Sequence, residues 1–90
     1  ASDYYTAAVY YRQENIKLDI ALKWMNKAME MTENPQFFQL RQQSLIMAAN
    51  GDYKDAIEVA KNSLELSIEV DNQDYVKMNN DSIDEWSKKL

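Results

Sequence analysis

Five carboxylates gather towards the end of this chain: Asp71 and Asp74, then Asp81, Asp84 and Glu85. Paired carboxylates can shuttle protons as general acid and base, or hold calcium through their oxygens. A calcium loop of the helix–loop–helix kind wants oxygen ligands at alternating positions and a central glycine. Neither is present, and these residues read as helix caps and a solvated face. Tyrosines and serines are plentiful, but a hydroxyl nucleophile needs a positioned base. The chain has no His, which removes the commonest base and the commonest transition-metal ligand, and no Cys, which removes disulfides and thiol chemistry. A Lys base has no support in the pattern. No enzymatic site, metal or cofactor is therefore expected within these residues.

Softer chemistry remains. Met25, Met29, Met31, Met47 and Met78 could make an adaptable binding surface, yet their helical spacing points to core filling. Trp24 stands beside the core position Met25. It either packs on the neighbouring helix or docks a preceding domain; tryptophan is seldom fully buried and is enriched at interfaces.

Those residues need elements to position them. Ninety residues make one small domain, spanning 1–90. A single Gly and a single Pro argue for long helices and short turns, against an all-β fold. The net charge of −5 argues against general affinity for nucleic acid or an anionic membrane. No apolar run approaches the roughly 20 residues a membrane span needs, so no membrane insertion is expected. The opening Ala1-Ser2-Asp3 does not begin with Met and does not resemble a signal peptide, so a piece of a longer chain is expected.

The spacing predicts five helices. The first, about Asp3 to Glu14, is capped by Ser2 and carries apolar or aromatic residues on more than one side, among them Tyr4, Tyr5, Val9, Tyr10 and Tyr11. Asn15 suits the left-handed turn that follows. The second, about Leu18 to Met31, places Leu18, Ala21, Leu22, Met25, Ala28 and Met29 on one face. Asn34 caps a third helix with Pro35 in its first position, running to Ala49. Gly51 supplies the positive φ of a tight turn, and Asp52 is expected to cap the fourth helix, about Tyr53 to Val70. A fifth, about Gln73 to Lys89, directs Tyr75, Ile83 and Trp86 inward with Asn79 near them.

A shift of 35 positions lays Ala21 on Ala56, Asn15 on Asn50 and Glu30 on Glu65. It also matches Leu18 with Tyr53, Leu22 with Ile57, Met29 with Leu64 and Met31 with Leu66. Fixed-period similarity of this kind marks a helical repeat. Units of about 2–35 and 36–70, then a closing helix of about 73–89, follow from it.

Gly51, Tyr53, Ala56, Ile57, Leu64 and Leu66, with Leu18 to Met29 in the first unit, resemble the tetratricopeptide repeat. The resemblance implies an all-α right-handed stack: two hairpins and a C-terminal helix that covers the last open face. The first unit lacks the turn glycine, and the small residue usual within the first helix would be Val9 or Ser44. The repeat's groove positions fall on Thr6, Tyr10 and Gln13, on Phe38, Arg41, Leu45 and Ala48, and on Val76 and Asn80. They imply an aromatic and apolar trough with one cation, which grips a protein or peptide. The Lys and Asn clamp of chaperone-binding repeats is absent from those positions. The alternative is an accessory role, in which Tyr4, Tyr5 and Trp24 dock a neighbouring domain. A monomer or weak dimer is expected.

Three phrases, Ala8–Tyr11, Ala21–Ala28 and Asp74–Asn79, are also similar to the C-terminal helical region of a bacterial family. In that family a β-rich domain precedes the repeats and export signals are usual. The similarity implies an extracytoplasmic protein with a further N-terminal domain, and implies no activity.

Overall fold

A helix that ends in a tight reversal needs a residue of positive φ just beyond it, so that the freed carbonyls can accept from the turn. The computed structural model, which describes residues 2–90, has this feature after three of its five helices. These are α1 (Ser2–Gln13), α2 (Leu18–Glu30), α3 (Phe37–Ala49), α4 (Tyr53–Glu69) and α5 (Gln73–Ser87). The positive-φ residues are Asn15 at 55°, Gly51 at 83° and Asp71 at 57°. After α3 the Gly51 amide donates to the Ala48 carbonyl and the Asp52 amide to Met47. Asn15 and Ile16 repeat the pattern onto Arg12 and Tyr11, and Asp71 and Asn72 onto Ile68 and Ser67. One turn design thus serves all three reversals, with Gly at the position of largest positive φ, where the lack of a Cβ removes the steric cost.

Two expected caps differ. Pro35 lies outside α3, which begins at Phe37. Gln36 takes the cap in extended backbone, and Gln36 and Gln39 exchange side-chain and backbone bonds in a capping box. Asp52 makes no side-chain cap bond to α4. The cap expected from the Ser2 hydroxyl falls outside the described side chains. Asn72 does cap α5, accepting from the Tyr75 amide at 3.2 Å.

The packing is open. Consecutive helices lie against each other, and α3 touches both α1 and α5, but the backbones of α2 and α4 stay apart, as do those of α1 and α5. The first helices converge while the second helices spread, which curves the row and leaves α1 and α5 as two banks above α3. Among the described residues there is no strand, and the fold is all-α. Two cores hold it. Ala8, Ala21, Met25 and Ile46 form the first, joining α1, α2 and α3, and Ala56, Ile57, Ala60 and Trp86 form the second, joining α4 and α5. The methionines divide: Met25 is fully buried, whereas Met31 and Met78 are exposed.

The small residue of the first helix is Ala8, not Val9. Ala8 is fully buried like Ser44, 36 positions later. The turn after α1 holds four residues, Glu14 to Lys17, where that after α3 holds three, Asn50 to Asp52. Lys17, at φ 47°, takes up the additional residue. The 35-residue step therefore fits the second helices, and α1 pairs with α3 at 36.

A chain of polar groups ties α5 to α3 and α4. The Arg41 guanidinium donates to Asn79 Oδ1 at 3.1 Å and to Ser82 Oγ at 3.3 Å. Asn79 Nδ2 donates to Ser63 Oγ at 2.9 Å, and Ser63 Oγ donates to the Phe37 carbonyl at 2.7 Å. The path leaves α3, crosses α5 and α4, and returns to α3. Asn79 is fully buried, so removing it strands polar groups. Asn79→Ala is expected to cost about 1–3 kcal/mol, the usual penalty for orphaned buried partners. Urea unfolding with an unchanged midpoint would place the tie outside the stability of the fold.

Candidate functional site

The banks enclose a hollow of about 350 Å³. Leu45, Ala48 and Ala49 of α3 form its floor, Arg12 and Asn15 one side, and Glu85, Trp86 and Lys89 the other, with Tyr53 at one end. A helix floor with small alanines, flanked by two helices whose backbones stay apart, is a trough because nothing among the described residues fills it.

Two of the nine expected groove residues, Leu45 and Ala48, line this hollow. Arg41 lies one turn earlier on α3, half-buried, its guanidinium directed to α5 by Asn79 and Ser82. Val76 is half-buried, and Asn80 is exposed. Thr6 and Gln13 are exposed and line no part of it. Tyr10 is 54% exposed, and Phe38, at 39%, stands edge-on to Phe37. The α1 set is displaced for the reason given above. Counting back 36 from Arg41, Leu45 and Ala48 reaches Tyr5, Val9 and Arg12. Tyr10 then corresponds to Ile46, whose side chain is covered by the first hairpin. Arg12 was not among the residues expected here; only the lengthened turn at Lys17 reveals it.

Electrostatics mark the inner end of the trough. Burial pushes the Arg41 guanidinium below its ordinary value; Tyr75 opposes this and the neighbouring Arg12 adds to it. Burial also raises the Tyr5 phenol above its ordinary value, and Tyr75 raises it further. These side chains from α1, α3 and α5 are therefore near enough to feel one another's charge. Arg12 Nε is buried and has no hydrogen-bond partner among the described residues.

The alternative surface has a different character. Trp24 stands 5.3 Å from the Tyr11 ring and 6.4 Å from Tyr4 between centroids. Lys17 lies over Tyr11 and Lys27 over Tyr4. Tyr4, Tyr5 and Trp24 are all half-buried, and Trp24 packs on the first hairpin's own core. This cluster fastens α2 to α1 and covers its ring faces with its own lysines. The five carboxylates considered at the outset are exposed, and Asp81 pairs with Lys77 at 2.8 Å.

Set against protein-family models, curated proteins and solved structures, the chain matches none. Among the described residues, no helix is long and apolar enough to cross a membrane.

Proposed function

We propose that this chain is a non-catalytic helical-repeat scaffold of the tetratricopeptide kind, and that it holds a segment of polypeptide in the trough above α3. The observation that carries the reading is the open packing: α1 and α5 both lean on α3, and their backbones do not come together. The hollow they leave is about 350 Å³, room for one or two side chains. Its walls mix apolar surface from Leu45 and Trp86 with long polar side chains, the combination that suits a protein ligand. A row this short offers modest affinity, on the order of micromolar, or about −8 kcal/mol. The accessory reading, in which Tyr4, Tyr5 and Trp24 receive a neighbouring domain, gains less support, since those rings are engaged within the first hairpin.

Selection of random peptides displayed on phage against the purified chain tests the reading. Peptides of micromolar affinity are expected. Ala48→Lys, which drives a long side chain up from the trough floor, should weaken them at least tenfold while the circular dichroism spectrum is kept. Lys54→Glu on α4, away from the trough, should leave them unchanged. Peptides indifferent to Ala48→Lys, or no peptides at all, would sink it.

A further inference from the structure

Eight asparagines stand in the chain, and only Asn50 precedes a glycine. An asparagine in that position loses its side-chain amide more readily than any other. The glycine nitrogen can approach the asparagine Cγ with no Cβ in the way. The other seven precede residues whose side chain or ring crowds that approach, so the chemistry singles out Asn50.

The fold holds the two reacting groups apart. Asn50 Nδ2 donates to the Leu18 and Ile46 carbonyls, each at 2.9 Å, which fixes the side-chain amide. The Gly51 amide donates to the Ala48 carbonyl, also at 2.9 Å. With Asn50 at ψ 2°, the Gly51 nitrogen is turned away from Cβ, and closing a ring onto Cγ needs a large rotation about the Cα–C bond. That rotation breaks the turn. Exclusion of solvent is not the safeguard, since Gly51 is exposed with open space about its Cα. The Leu18 bond also reaches 32 positions back along the chain, tying the reversal after α3 to the start of α2.

From these contacts we infer that Asn50 is a latent deamidation site. It is closed while the hairpin is folded, open once the turn lets go, and unable to rejoin its two carbonyls afterwards. The Gly51 nitrogen gives up its proton and bonds to Asn50 Cγ; the Cγ–Nδ2 bond breaks, and Nδ2 leaves as ammonia with that proton. Water then opens the succinimide ring. Cleavage at Cγ leaves aspartate, and cleavage at the main-chain carbonyl leaves isoaspartate, with the chain routed through Cγ. One water is consumed, one ammonia is released, and nothing is oxidised or reduced. Either product is a carboxylate, which only accepts hydrogen bonds when ionised. It would confront the Leu18 and Ile46 carbonyl oxygens with no donor for either. A chain left unfolded thus loses its way back, one chemical route to irreversible unfolding. The site is independent of the peptide-binding reading.

The test holds the 90-residue chain in mildly alkaline buffer, with and without denaturing guanidinium chloride, then digests it with trypsin and weighs the fragments. Fragment 42–54 carries Asn50 as its only asparagine. Its conversion to the carboxylate is expected at least tenfold faster in denaturant than in buffer, and faster than at any other asparagine. Gly51→Ala, compared in denaturant where the fold plays no part, should slow the conversion at least tenfold. Asn50→Asp should unfold at a lower urea concentration than Asn50→Ala, which loses the same donors without gaining a charge. Wild-type chain converted in denaturant, separated by its added negative charge, should regain less of the native circular dichroism than unconverted chain from the same sample. Equal rates in denaturant and buffer, or conversion centred on another asparagine, would overturn the inference. So would an Asn50→Asp chain as resistant to urea as the wild type.

Discussion

Trp86→Ala is expected to lower stability by about 3–5 kcal/mol, the range for emptying a large aromatic from a packed site. Trp86 is 6% exposed and packs on Ala56, Ile57 and Ala60 of α4. Two of those three neighbours are alanines, with no side-chain length to collapse into the gap. A domain of this size has only about 5–13 kcal/mol in total, so the variant is left near the edge of folding. At roughly 4–8 °C per kcal/mol the melting temperature falls by about 12–40 °C. Thermal melts followed by circular dichroism decide it, and equal melting temperatures would take Trp86 out of the core. Trp86 is also a wall of the trough, so the same change should enlarge the hollow and weaken any ligand beyond what unfolding explains. Binding measured well below the melting temperature separates the two effects.

The second large effect is expected at the other core. Met25 is fully buried among Ala8, Ala21 and Ile46, where α1, α2 and α3 meet. Met25→Ala should cost about 2–5 kcal/mol, with the alanines again leaving little to fill the void. Urea unfolding should show a lower midpoint with the same slope, since the surface exposed on unfolding barely changes. Met31→Ala serves as the comparison: its side chain is exposed, and its change should stay within about 0.5 kcal/mol. Similar losses at both positions would mean that the first hairpin is not organised around Met25.

How far the sequence spoke depended on whether a feature was local. The turns after α1 and α3 were legible because Asn15 and Gly51 announce themselves by residue type. Helix limits followed from them to within one or two residues, and the inward side of α2 from the spacing of Ala21, Met25 and Ala28. The start of α3 was not, because Asn34-Pro35 offers a strong cap signal and Gln36-Gln39 a weaker one, and the backbone adopts the weaker. The trough was half legible. Leu45 and Ala48 came from the position of α3 alone. Arg12 did not, because one added residue at Lys17 rotates all of α1 relative to a fixed count. The polar path through Asn79 and Ser63 was also hidden: a buried asparagine is only reasonable once its partners on two other helices are known.

The backbones of the two banks do not meet. Each is steadied by the middle rod and by its own hairpin mate, as two shelves share one upright. An occupant that touches both would brace them directly. It would stiffen the empty frame as well as sit in it, and saturating it at a hundred times its dissociation constant would add about 2.7 kcal/mol of resistance to unfolding.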